Sequence, residues 1–325
     1  MAEQNFEHWL HQRHQTMQTP ADVIKAYVKK ATGAEPAQLT RHIVGMMNEV
    51  HKAELPDGSR VIVRISHWDD PRFVAEKWAL EAAASHGVPT PKVLLVEDTK
   101  VDGKNRGFCI EEDVPGTSLE HLIEAGDEAQ AKAVIPKIGE VLGRIHATPI
   151  QGFGYLQPDG RGWDIPFSHI MLDLLDHKKD LARAADYWNL SHKQVQHGLA
   201  LLETHQDYYT WDTPVLVHGD FNPAHILVKD GEITGIIDFQ ECSGNHPVLD
   251  FARWEMYWGS RIPIRDVMAS YTNQALFDDR YEALFHLVTI RMALWMYTVQ
   301  ADRQTADRIN KVSEALDKSL AFFKV

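Results

Sequence analysis

Residues 213–239 read TPVLVHGDFNPAHILVKDGEITGIIDF, and the alternation of apolar and polar residues in this stretch decides the reading of the whole chain. Three short apolar runs, 215–217, 226–228 and 233–237, are separated by a polar loop and by Lys229-Asp230-Gly231, the pattern of a small hairpin of short strands holding a loop. The loop presents His218, Asp220 and, five residues after the aspartate, His225, and the last run delivers Asp238. Two carboxylates and an imidazole held at strand ends suit phosphoryl transfer. One carboxylate orients the attacking hydroxyl and accepts its proton, and other oxygen or nitrogen ligands hold Mg²⁺ on the β- and γ-phosphates. His218, next to a strand, suits a structural role in hydrogen bonds to backbone carbonyls.

Upstream, the segment 39–55, the turn Pro56-Asp57-Gly58 and the run Arg60–Ser66 predict strands joined by a tight hairpin. Pro71 to His86 carries Phe73, Val74, Trp78, Ala79, Ala82 and Ala83 at helical spacing and ends at Gly87. Strands over 92–98 and 107–114 flank a charged turn at Asp102-Gly103, so this part is a small sheet with one internal helix. Helices over 3–17 and 20–32 precede it, the second with Thr19 as cap and Pro20 in its first turn. Pro115-Gly116 breaks the pattern. Beyond it Thr117 or Ser118 caps a mainly helical region, with helices over 128–147, 168–185 and 191–206. The expected division is therefore 1–114 and 115–325.

Charge and composition remove several classes. The 325 residues hold 33 Lys and Arg against 46 Asp and Glu, a net charge of -13 without a basic tract, which disfavours a nucleic-acid partner. Cys109 and Cys242 are too few and too far apart for a disulfide framework or a CxxC metal site, and a reducing compartment fits. No apolar run approaches the roughly 18 residues of a membrane span, and the start lacks a signal-peptide pattern, so a cytoplasmic protein is expected. His8, His11 and His14 predict a solvated helix face rather than a metal site, and Trp254, Tyr257, Trp258 and Trp295 a buried stripe.

The string His218-Gly219-Asp220, a ligand five residues on, and Ile236-Ile237-Asp238-Phe239 together resemble the aminoglycoside phosphotransferase family, antibiotic kinases with a protein-kinase-like fold. The likeness runs in order from about Leu39 to Trp258. It implies an α+β, two-lobed fold: a small β-rich N-terminal lobe with one internal helix and a larger, mainly helical C-terminal lobe. It also implies Asp220 as catalytic base, His225 and Asp238 as metal ligands, and Arg64 in VIVR as the phosphate-binding cation paired with Glu76. Gly45 and Asn48 fall in the nucleotide-covering hairpin and Glu111 to Val114 in the inter-lobe hinge, where backbone groups meet the base and the side chains are hydrated. His218 and Asp250, the latter in GNHPVLDFA, support the catalytic loop. Position 64 is more often lysine in the family and position 225 more often asparagine; a neutral imidazole still ligates a metal, and arginine meets phosphate with a planar fork.

The activity this implies is transfer of the γ-phosphate of ATP or GTP, with Mg²⁺, to a hydroxyl of a small molecule, an antibiotic of the aminoglycoside or macrolide class. A kinase of a metabolic hydroxyl (sugar, choline or homoserine) and a catalytically silent nucleotide-binding module are the alternatives. The expected partners are the nucleotide and the small hydroxylated substrate, with neither nucleic acid nor membrane, for a monomer or weak dimer.

Overall fold

The computed structural model describes residues 10–43, 45, 47–303 and 309–323. Its first part is an antiparallel sheet of five strands: β1 (Gln38–His42), β2 (Asn48–Glu54), β3 (Arg60–Ser66), β4 (Val93–Val101) and β5 (Lys104–Glu112), in the order β1-β2-β3-β5-β4. The period-2 pattern of β3 explains how the sheet divides its faces. Val61, Val63 and Ile65 point to one side, where they bury with Ile24 and Val28 of the Ala21–Thr32 helix and with Phe108 and Ile110 of β5. Each such side chain contributes about 1.5–3 kcal/mol through burial. Arg64 lies on the other face, across from Cys109, and there the Phe73–Ser85 helix packs with Phe73, Ala75, Glu76, Ala79, Leu80 and Ala83 buried.

Beyond Glu112 the chain leaves this sheet. Thr117–Ser118 forms β6 and pairs with β9 (Ile226–Lys229), and the Ser118 hydroxyl accepts from the His121 amide to cap the Leu119–Glu124 helix. The Glu128–His146 helix follows, capped by Asp127, and buries Val134, Ile138, Val141, Leu142 and Ile145. β9 and β10 (Glu232–Ile236) form the expected hairpin, with Asp230 and Gly231 both at positive φ, the conformation a two-residue hairpin turn requires. The run 215–217 behaves differently from expectation. As β8 (Val215–Val217) it pairs with β11 (Ser243–Asn245), which also pairs with β7 (Gly154–Tyr155), and not with the hairpin. Three apolar residues carry no information on their partner; here Gly244, lacking a side chain, lets the Gly152 carbonyl approach where a Cβ would meet it at 2.3 Å.

Other expectations need correction. The 168–185 helix is broken into Phe167–Leu172, a 3₁₀ turn Asp173–His177 and Lys178–Trp188, with Asp173 paired to Arg291 at 2.6 Å. Helical structure covers 10–16 of the 3–17 segment, whose first residues, with His8, lie outside the described residues. His14 is not on a solvated face. It is 2% exposed and its Nε2 lies 3.0 Å from the Gly45 carbonyl. Thr19 does not cap the following helix, because its hydroxyl donates to buried Glu49 at 2.8 Å. Trp254, Tyr257 and Trp258 are buried in the Val248–Trp258 helix, whereas Trp295 is 40% exposed, edge-on to His177. Cys109 and Cys242 are free and buried, and among the described residues no helix is long and apolar enough to cross a membrane.

Candidate active site

The loop from His218 to His225 is shaped by its backbone partners. Both carboxylate oxygens of Asp250 accept main-chain donors, Oδ2 from His218 and Oδ1 from Gly219, each at 2.8 Å. Asp250 is fully buried, and its Oδ2 is also 3.0 Å from His146 Nε2, whose Nδ1 meets the Tyr271 hydroxyl at 2.9 Å. Gly219 sits at φ 79°, and a Cβ there would meet the Glu241 carbonyl at 2.0 Å, so only glycine fits. His218 is fully buried. Burial pushes its pKa down, with His225 adding to the effect, and its bonds match the neutral ring: Nε2 lies 3.0 Å from the Ile237 carbonyl and Nδ1 accepts from the Asp220 amide at 3.3 Å.

Asp220 emerges from this braced loop half-buried. Burial works against its charge, but Arg253, donating from Nε at 2.9 Å and Nη2 at 2.6 Å to Oδ1, holds the carboxyl below its usual pKa, helped by His225 and His218. His225 Nδ1 lies 3.0 Å from the Asp220 main-chain oxygen, which only accepts. Nδ1 also lies 3.2 Å from the Asn222 side-chain amide nitrogen, and Nε2 lies 3.5 Å from Asp238 Oδ2. Asp238 itself adopts the left-handed conformation, φ 65° and ψ 61°, a strained state for a residue other than glycine that aims its carboxylate into this cluster.

Opposite, Arg64 is 6% and Glu76 0% exposed, and they pair through Nη1 and Oε1 at 2.6 Å. Arg64 Nη2 reaches Asp238 Oδ1 at 2.8 Å, so one guanidinium links the sheet, the Phe73–Ser85 helix and the end of β10. Glu111 is not hydrated as the hinge reading expects: it is 5% exposed, with Oε2 3.9 Å from Arg64. Burial pushes Glu76 up to about 8 and raises Glu111 as well, while Arg64 opposes both shifts. Asp113 is engaged too, by Lys52 at 2.7 Å and Arg60 at 3.0 Å, whereas Glu112 is exposed and Val114 half-buried beside Gly235. Asn48 is buried and donates to Gln240 Oε1 at 2.6 Å; Gln240 in turn donates to the Pro71 carbonyl at 2.9 Å. Gly45 lies at φ 69° with open space where a Cβ would stand, and Met46 is outside the described residues.

The residues brought together are thus Arg64, Glu76, Glu111, Asp220, His225 and Asp238, with His218 and Asp250 behind the loop. Sequence reasoning missed Arg253, Gln240 and His146. Arg253 had a usable signal, since it follows Asp250 by three residues and so shares its helix face. Gln240 and His146 had none.

A two-lobed α+β architecture with carboxylates from a braced loop and a strand end facing a buried Arg–Glu pair is that of the protein-kinase-like phosphotransferases. The family model described as the phosphotransferase enzyme family, APH, matches residues 39–285, and the chain belongs to that family. The chain is 24% identical over 190 residues to hygromycin-B 4-O-kinase of Escherichia coli, covering 57% of this chain and 52% of that protein. It spans 30% and 52% of the length of the first curated relatives it matches. Its fold is that of aminoglycoside phosphotransferase APH(4)-Ia, with a TM-score of 0.73 at 17% identity over 94% of this chain and 100% of the other. A thermostable mutant of that enzyme is solved as a ternary complex with ADP and hygromycin B. Macrolide 2'-phosphotransferase MphH of Brachybacterium faecium superposes with a TM-score of 0.58 at 16% identity, over 91% of this chain and 98% of the other.

Proposed function

We propose that the protein transfers the γ-phosphate of ATP or GTP to a hydroxyl of a small molecule, with an antibiotic as the leading acceptor class. The observation that carries this reading is the convergence of Asp220, His225 and Asp238 on one side and the Arg64–Glu76 pair on the other. In this reading residues 1–114 hold the nucleotide, with Gly45 and Asn48 over the phosphates and the backbone of Glu111 to Val114 at the base. Residues 115–325 supply the catalytic loop and the acceptor site. Arg64 contacts the phosphates with Glu76 holding its fork. Asp220 orients the acceptor hydroxyl and takes its proton, and Asp250 and His218 keep the loop in place.

Of the donor set, the Asp238 carboxylate fits Mg²⁺, while the His225 nitrogen suits a transition metal such as Mn²⁺ better. His225 Nε2 and Asp238 Oδ2 face each other 3.5 Å apart, and among the described residues no group of three or more His, Cys, Asp or Glu encloses a metal. Mg²⁺ would be held through the Asp238 carboxylate, with substrate phosphates and water supplying the rest of its shell. When bound, the ion neutralises phosphate charge. The relatives solved with ADP and hygromycin B, and the macrolide enzyme, support an antibiotic acceptor. The test is phosphotransfer from ATP and from GTP to a panel of aminoglycosides, macrolides and sugar, choline and homoserine acceptors. Acceptor-dependent turnover of an antibiotic is the expected result. Turnover of a metabolite alone reassigns the acceptor, and no stimulation by any compound removes the reading.

A further inference from the structure

Arg253 lies one turn after Asp250 on the Val248–Trp258 helix, so a single rigid element holds both the backbone of the catalytic loop and the carboxylate at its centre. Its Nε and Nη2 both donate to the same oxygen, Asp220 Oδ1, at 2.9 and 2.6 Å. The guanidinium carbon lies 5.3 Å from the centre of the Tyr257 ring, one turn further on, which limits where the fork can point. An ionised carboxylate oxygen has about two lone-pair sites, and both on Oδ1 are taken. Oδ2 is left facing His225, 3.8 Å from its Nδ1.

We propose that Arg253 is a positioning residue for the transfer reaction: it fixes Asp220 through Oδ1, so that Oδ2 is the oxygen that meets the acceptor hydroxyl. This rests on the phosphotransferase reading above. In the step, the hydroxyl oxygen forms its bond to the γ-phosphorus. The bond from that phosphorus to the bridging oxygen breaks, its electron pair leaving on the nucleoside diphosphate, and the hydroxyl proton passes to Asp220 Oδ2. Without the fork the carboxylate rotates about its terminal torsion and loses its alignment with the acceptor. Lysine, a point charge, keeps the attraction and not the planar grip.

The experiment measures kcat and both KM values for the wild type, Arg253→Met, Arg253→Lys, Asp220→Asn and the double variant Asp220→Asn with Arg253→Met. The acceptor is hygromycin B, or the panel compound with the highest turnover if hygromycin B is not a substrate. Arg253→Met is expected to lower kcat about 10–100-fold, the usual scale for a partner that orients a reacting group. Nucleotide KM should stay within about twofold, since Arg253 acts only on the acceptor side. Arg253→Lys, which preserves the bulk of the side chain and guards against a folding failure in the methionine variant, should recover part of the loss. In the Asp220→Asn background the Met substitution should cost nothing further, because the group it serves is already gone. Unchanged kcat in Arg253→Met, multiplicative losses in the double variant, or a nucleotide KM that rises with the loss in kcat would each overturn the assignment. A wild type that turns over nothing removes the phosphotransferase reading itself and this proposal with it, whereas an active wild type with an indifferent Arg253→Met removes only the role of Arg253.

Discussion

At the scale of single residues, the proposed reading gives Asp220 and the pair His225–Asp238 separable tasks. Asp220 is held as an anion by Arg253, so replacing it with asparagine preserves shape and removes proton acceptance. Asp220→Asn should lower kcat by about 10²–10⁴-fold with nucleotide KM nearly unchanged, measured in steady-state assays; a variant retaining over half the wild-type kcat would remove Asp220 from the mechanism. His225 sets Nε2 3.5 Å from Asp238 Oδ2, with Nδ1 beside the Asp220 carbonyl and the Asn222 side-chain amide. Asparagine offers an oxygen donor in the same register and leucine offers none. His225→Asn should remain active with its preference shifted from Mn²⁺ towards Mg²⁺, since imidazole favours the transition metal, and His225→Leu should be nearly inactive. Equal activity of the leucine variant across both metals would show that the imidazole holds no ion.

Two pairs of elements carry the next predictions. The β3 strand and the Phe73–Ser85 helix meet through Arg64 and Glu76, both desolvated. Removing Arg64 takes the one cation from Glu76, Glu111 and Asp238 together, a loss of about 3–5 kcal/mol, whereas removing Glu76 leaves Arg64 still paired with Asp238 and costs less, and removing both costs less than the sum. Arg64→Met and Glu76→Gln should each raise nucleotide KM and lower stability, and a double-mutant cycle should show strong non-additivity. The Tyr281–Arg303 and Ile309–Phe322 helices meet at His286, which lies 3.1 Å from the Ser319 hydroxyl and stacks on Phe322. Burial, with Lys318 adding, pushes this histidine down to about 4. Above about pH 6.5 neither folded nor unfolded chain protonates it, and its contribution to stability is intact. As pH falls below that value the unfolded chain gains a proton that the folded chain refuses, so stability falls by about 1.4 kcal/mol per pH unit until roughly pH 4. His286→Gln should therefore be less stable than wild type at pH 7 through lost ring packing, and the gap in Tm should narrow at pH 5. A gap independent of pH would show that His286 protonates freely in the fold.

For the whole molecule, the first sheet and the remainder of the chain are joined at the site by Arg64–Asp238 and Asn48–Gln240, so a ligand bridging those groups acts on both parts. A nucleotide that binds only the folded state at about 100 times its Kd stabilises it by about 2.7 kcal/mol. Mg²⁺ with ATP should raise Tm by differential scanning fluorimetry more than ATP with EDTA, and Asp238→Ala should abolish the difference while keeping the response to ATP alone. An equal loss of both responses would point away from a metal role for Asp238.

The strands over 60–66 and 107–112, the 73–85 helix and the 226–236 hairpin were legible from sequence because each carries its own period and its own turn residues, with Gly87 and Asp230-Gly231 marking the ends. The loop from His218 to His225 was legible for the same reason, since spacing along one short segment survives folding. What only the tertiary structure decided is the set of contacts between segments distant in sequence. The partner of Val215–Val217, the burial of His14 and Glu111, the exposure of Trp295 and the grip of Arg253 on Asp220 all depend on which surface another element presents. Local pattern encodes which face of an element is apolar. It does not encode what will cover that face, and burial, pairing and the ionisation of a carboxylate are set by the covering group.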